Sequence, residues 1–188
     1  MSSWFELISD DESLYQGDII EKCKILLPTE EHYHALLTEA SSSLELSYTE
    51  TDCIIMSQSC DLVNAKIKFA ILCPIIPLAK LVEKDAYYKS RDSREQLRQG
   101  NQPSYHLLDK ITLNTVEDYF CVSFHHIFSV PKDFLIASVK GKTRLRLVSP
   151  YKEHLSQSFA RYFMRVGLPA TIDQKTFREY SVPSSQAK

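Results

Sequence analysis

The chain has 188 residues, with 24 Asp and Glu against 22 Lys and Arg and 44% hydrophobic residues. That is the length of one domain with apolar material for a core, so a disordered chain is excluded. A formal charge of -2 excludes a uniformly basic nucleic-acid binder but leaves local basic patches open.

Gly17-Asp18 opens a segment in which Ile19, Cys23, Ile25 and Leu27 alternate with Ile20, Lys22, Lys24 and Leu26, with Glu21 as the dissenter. The period predicts a strand. Residues 28 to 51 are polar and Ser-rich, with a short helix predicted at Glu31 to Leu37. Cys53-Ile54-Ile55-Met56, between Asp52 and Ser57, reads as a buried strand. Ile67, Phe69, Ile71 and Cys73 alternate with Lys68 and Ala70 and predict another, stopped by Pro74. Residues 79 to 100 form a charged helical insertion that Gly100 ends. Strands are predicted again at Tyr105 to Leu108, Asp118 to Phe124 and Thr143 to Val148, with a short helix from Pro131 to Ile136.

The last helix is the clearest element. Ser149 is suited to cap it, Pro150 to its first position, and Gly167 with Pro169 to its end. Leu155, Phe159, Tyr162, Phe163 and Val166 make its apolar face, and residues 181–188 read as a frayed tail of a single domain spanning 1–188. The sum is a mainly β chain with added helices, as a small bent β-barrel or sheet. Long βαβ alternation is missing, which argues against a doubly wound nucleotide fold.

The longest apolar run, Phe69 to Ala79, has eleven residues including two prolines, well short of the ~20 of a membrane-spanning helix. The opening Met1-Ser2-Ser3-Trp4-Phe5-Glu6 lacks the basic-then-apolar order of a secretory signal. A cytoplasmic chain with no membrane contact is the expectation. Five cysteines form an odd set without a Cys-x-x-Cys pair, so neither a disulfide framework nor a zinc ribbon is read. Cys23, Cys53, Cys73 and Cys121 have apolar, strand-like flanks that predict buried thiols. Cys60 stands apart.

Ser57-Gln58-Ser59-Cys60-Asp61 places five polar or reactive side chains directly after a buried strand, where scaffolds hold functional groups. One reading makes Cys60 a nucleophile, with His125 or His126 as base, Asp61 or Asp118 orienting it, and Gln58 or a loop amide stabilising an oxyanion. Against it, Asp61 beside Cys60 opposes ionisation of the thiol. A second reading has Ser59, Asp61 and Asn64 turning the chain while Cys60 packs as a small apolar residue. A third, a metal held by Cys60 with Cys121, His125 or Asp61, has no tight ligand pair behind it, and no metal or cofactor is expected. A fourth makes the stretch a ligand-binding loop without chemistry, with Gln58 and Ser59 as binding residues. His32 and His34 read as solvated, and His106 and His154 carry no partner signal.

Lys140, Lys142, Arg144 and Arg146 recur at every second residue, with Leu145 and Leu147 opposite. Such a strand buries its leucines and presents a row of cations. Arg161 and Arg165 add two more on one helix face. The stripe is either a nucleic-acid surface or a solvated face. No glycine-rich phosphate loop, Gly-x-Ser-x-Gly elbow or His-Glu-x-x-His motif is present.

Two segments carry a resemblance. Gly17-Asp18-Ile19-Ile20, the strand Asp52 to Ser57 and a strand ending in Cys73-Pro74-Ile75 resemble the PemK/MazF-like group of SH3-like barrels. Ser57-Gln58-Ser59-Cys60-Asp61-Leu62 resembles a Ser/Thr-Gln-x-Cys-Asp-Leu signature of uncharacterised bacterial proteins, as does the stretch from Ser149-Pro150-Tyr151 to Arg165-Val166-Gly167-Leu168-Pro169. The toxin ribonucleases of the first group carry an arginine leading into the second strand and a Thr or Ser after the strand-ending Pro-hydrophobic pair. Here those stretches read Glu50-Thr51-Asp52-Cys53 and Pro74-Ile75-Ile76-Pro77, and neither residue is present. The resemblance therefore implies the architecture without the ribonuclease chemistry. The preferred expectation is a non-catalytic binding or adaptor subunit, with a protein partner in a bacterial multi-protein system. A Cys60-dependent enzyme is the alternative, and an RNA-binding relative of the toxins the third reading.

Overall fold

Gly17 holds three distant segments together in the computed structural model, which describes residues 3–38 and 47–164. Its φ is +88°, and a Cβ there would lie 3.1 Å from the Cβ of Leu147, so both backbone and space require glycine. Its N–H donates to the Ile55 carbonyl (2.9 Å) and its own carbonyl accepts from the Leu147 N–H (3.0 Å).

Eight strands and six α-helices follow in chain order among the described residues: β1 (Phe5–Ile8), β2 (Ile19–Leu27), α1 (Glu30–Thr38), β3 (Ser47–Ile55), α2 (Ser59–Val63), β4 (Phe69–Pro77), α3 (Leu78–Lys84), α4 (Arg91–Arg98), β5 (Tyr105–Leu113), β6 (Val116–Ser123), β7 (Phe128–Pro131), α5 (Lys132–Val139), β8 (Arg144–Leu147) and α6 (Tyr151–Phe163). The strand pairings are antiparallel. The larger sheet runs β2-β3-β4-β6-β5, with β7 also on β4, and β1 pairs β8 separately. Helices added to antiparallel strands match the sequence reading. Among the described residues the sheets do not close into a barrel.

Two departures from alternation have local causes. Glu21 and Lys22 oppose Asp52 alone, a bulge between the pairs Ile20–Cys53 and Cys23–Thr51, and Lys22 takes a φ of +48°. That extra residue is why Glu21 breaks the period. Pro74, predicted to stop its strand, lies inside β4. The Ile71 N–H donates to Ser57 Oγ (2.8 Å) and its carbonyl accepts from the Met56 N–H (2.8 Å), so Ile71 faces β3. By alternation Leu72 and Pro74 face the other way. There β7 pairs as far as Leu72 and β6 begins only at Ile75, so the absent N–H of Pro74 falls in the gap between them.

The core has three parts. The first includes Ile19, Ile54, Cys73, Phe120, Phe124, Leu147 and Leu155, the second Cys23, Cys53, Ile55, Leu62, Leu72 and Leu135. The charged insertion builds the third: Leu81, Tyr88 and Leu97 close over Cys121 of β6. Cys23, Cys53, Cys73 and Cys121 are all buried on strands, as predicted.

The last helix docks through Leu155, Phe159 and Tyr162 on Phe124, while Trp4 stacks on Tyr151 with ring centroids 4.0 Å apart. Phe163, predicted on that face, is 58% exposed and meets the rings of Phe159 and Tyr162 edge-on. Ser149 is not a backbone cap. Its hydroxyl donates to Glu153 Oε1 (2.8 Å), and the helix starts at Tyr151 without a side-chain cap. Val166, Gly167 and residues 181–188 lie outside the described residues. No helix among the described residues is long and apolar enough to cross a membrane.

Candidate functional site

The loop after β3 is tied down by its serines. Ser57 Oγ accepts from Ile71, and Ser59 Oγ accepts from the Gln16 N–H (3.1 Å), while buried Gln16 donates through Nε2 to the Met56 carbonyl (2.7 Å). Gln58 is exposed and makes no side-chain cap for α2. Cys60 is exposed in the first turn, its Sγ 3.6 Å from Asp61 Oδ1. Asp61 also faces Lys66 Nζ at 3.6 Å, and Asn64 Nδ2 donates to the Cys60 carbonyl (2.8 Å). The packed reading of Cys60 is thus corrected: Leu62, two residues on, is the one that enters the core.

The partners of the nucleophile reading lie elsewhere. His125 packs edge-on to Tyr105 (5.4 Å) and Tyr162 (6.2 Å), on the side of α6, whereas α2 belongs to the second core through Leu62. Asp118 caps the start of α3, accepting from the Ala79 N–H at 2.9 Å. Cys121 is buried beneath the insertion. No grouping of three or more His, Cys, Asp or Glu side chains that could hold a metal is assembled among the described residues.

Burial closes the other four thiols to solvent, Cys23 at 2% exposure and Cys53, Cys73 and Cys121 at 0%. It pushes Cys73 up to about 12, and Cys121 to about 12 with help from Asp118. Cys53 is raised by its hydrogen bond with the Cys23 thiol and by burial. Native protein treated with iodoacetamide is therefore expected to label at Cys60 alone, with all five thiols labelled only after denaturation. Labelling of a second cysteine under native conditions, read by peptide mass spectrometry, would contradict this burial.

The basic strand is not a row of free cations. Arg144 is buried, and its Nε donates to Asp18 Oδ2 (2.7 Å), Nη1 to the Ser9 carbonyl (3.0 Å), and Nη2 to the carbonyls of Glu12 and Ser13 (2.8 Å each). Arg146 donates from Nε to Asp18 Oδ1 (2.5 Å) and from Nη2 to Asp18 Oδ2 (3.1 Å) and the Ser13 carbonyl (2.8 Å), with its guanidinium over the Tyr15 ring at 4.3 Å. The expected outward face of β8 is therefore covered by residues 9–15, and these donors are committed to the chain's own oxygens. Lys140, Lys142 and Arg161 are exposed; Arg165 lies outside the described residues.

A different surface gathers exposed apolar side chains. A groove of about 650 Å³ runs between the outer ends of β2 and β7, walled by Leu26, Tyr33, Tyr48, Ile127 and Phe134. All five are exposed, Leu26 by 62%. Contiguous exposed apolar surface of this kind marks interaction sites. Among the described residues, β2 is paired only with β3 from Cys23 to Leu27, and β7 only with β4. Since Leu72 faces β7 and pairs with Phe128, Ser129 one residue later turns its N–H and carbonyl away from β4. Two strand edges thus border one apolar groove. Sequence reasoning missed it because Leu26 and Leu27 looked like ordinary strand residues and β7 was not foreseen; the adjacent pair Leu26-Leu27, apolar on both faces, was the available signal.

No protein-family model matches the chain, and no curated protein matches it.

Proposed function

We propose that the chain is a non-catalytic binding subunit, an adaptor that takes an extended apolar segment of a protein partner into the groove between β2 and β7. The observation that carries this reading is the pairing of two strand edges with exposed apolar walls. An added strand satisfies main-chain groups on the edges while alternate side chains enter the apolar walls. The order β2-β3-β4-β7, with its two end strands facing one groove, also supports an SH3-like half-barrel that a fifth strand would complete. The dispersed positions of Cys60, His125 and Asp118 weigh against the enzymatic alternative, and the internal use of Arg144 and Arg146 against the RNA-binding one.

The reading is tested by selecting displayed random heptapeptides on the purified protein. Selected sequences are expected to carry apolar residues at every second position, and to lose binding when alternate amides are N-methylated. Leu26→Glu and Phe134→Glu, both at exposed positions, should abolish binding without lowering stability. No enrichment, or peptides that bind both variants as well as the wild type, would sink the proposal.

A further inference from the structure

A second cleft, sharing no residue with the apolar groove, lies where the β2 bulge, the end of β4, α3 and the β5–β6 turn converge. It encloses about 430 Å³, within the size range of small-ligand sites. Its rim carries three ammonium groups. Lys80 and Lys84 are one turn apart on α3 and share a helix face. Lys22 arrives from β2 at the bulge, where its φ of +48° is a conformation that non-glycine residues adopt at a cost. Bulges re-aim side chains beside functional sites. Among the described residues no carboxylate is within ion-pairing distance of these three amines.

The two acids in the cleft are already engaged. Glu50 pairs with Lys24 at 3.9 Å. Asp52 accepts from the Lys22 N–H (2.8 Å) and from Asn114 Nδ2 at both oxygens (2.9 Å each). Asn114, at φ +48° in the β5–β6 turn, also donates its N–H to Glu21 Oε2 (3.1 Å). These bonds hold the bulge and the turn in place and spread the Asp52 charge onto donors. The remaining imbalance is positive, beside an apolar floor of half-buried Ile76 and Pro77 and exposed Val116.

We infer that this cleft binds a small phosphate monoester, its dianionic group between Lys22, Lys80 and Lys84 and its apolar body against the floor. A phosphate dianion suits a cleft lined by three lysines, and lysine serves it as a point charge without needing a forked geometry.

The test is calorimetric titration of the full chain with phenyl phosphate, inorganic phosphate and phenol. Phenyl phosphate is expected to bind tightest, inorganic phosphate more weakly and phenol not measurably, with affinity falling as salt screens the lysines. Lys80→Gln with Lys84→Gln should weaken phenyl phosphate at least about tenfold, with the thermal melt unchanged because both residues are exposed. Lys132→Gln, outside the cleft, should leave binding intact and controls for net charge. Absence of binding up to about 10 mM, weaker than the millimolar end of the affinity scale, overturns the inference. So does binding that the double variant leaves unchanged. Equal affinity for phenyl phosphate and inorganic phosphate overturns the role of the apolar floor.

Discussion

Asp18→Ala is expected to destabilise the protein by about 3–5 kcal/mol, the range for removing one partner of a buried ion pair. The side chain of Asp18 is 0% exposed, and both of its oxygens receive guanidinium donors. Truncation leaves the buried Arg144 charge without a counter-ion beneath residues 9–15. Arg144→Ala should cost a comparable amount, because it strips donors from the carbonyls of Ser9, Glu12 and Ser13 as well as from Asp18. The two losses should not add. Once either partner is gone the other's removal costs less, with a coupling of about 0.5–3 kcal/mol in a double-mutant cycle followed by urea unfolding. Losses below about 1 kcal/mol for Asp18→Ala, the scale of a surface change, would show that the network contributes little. The same network changes how a nucleic-acid test must be read: Arg144→Ala with Arg146→Ala would lose binding by loosening the fold, whether or not either residue touches a phosphate.

How much of this was legible from the sequence depends on how local the cause was. The four strand cysteines, the insertion helices and the body of α6 follow from patterns within a dozen residues, and each stands where it was predicted. Arg144 was misjudged because alternation along β8 says only that arginines and leucines lie on opposite faces. It cannot say that both faces are covered. The partner Asp18 is 126 residues away, and a buried charge is invisible until its counter-ion is placed. Pro74 was misjudged for a related reason: a proline ends a strand only if its absent N–H would have had a partner, and that depends on where β6 and β7 break. The β5–β6 hairpin was missed because Asn114 and Thr115, with φ of +48° and +70°, make the turn without a glycine.

The candidate sites were less legible than the fold. Ser57 and Ser59 stood in a run of polar or reactive side chains and are hydroxyl ties that accept the Ile71 and Gln16 N–H groups. A hydroxyl accepting one backbone N–H reads the same in sequence as one poised for chemistry. The groove and the lysine cleft depend on distant elements converging: β2 with β7 and α5, and the β2 bulge with α3 and Asn114. Neither has a contiguous motif, so neither could be read from spacing.

His106 is expected to make the protein acid-sensitive in one defined window. It lies on β5 beneath α6, its Nδ1 3.0 Å from Ser158 Oγ and its Nε2 buried without a partner. Burial, with the nearby charges of His154 and Arg161, holds its pKa down to about 4 against an ordinary 6.5. In the folded protein the ring therefore stays neutral well below the pH at which the unfolded chain takes up a proton. The unfolded state binds more protons between the two values, so stability is complete above about pH 6.5 and falls as the pH drops toward 4. The loss approaches about 3 kcal/mol at about 1.4 kcal/mol per unit of pKa difference. His106→Gln keeps an amide that can pair with Ser158 but removes the titration. Its stability at neutral pH should be somewhat lower than the wild type's, while its unfolding free energy should be nearly flat where the wild type's declines. Urea midpoints measured in steps across this window decide the matter. Parallel curves for the two proteins would show that the acid sensitivity comes from other groups and that the ring is not held neutral beneath the helix.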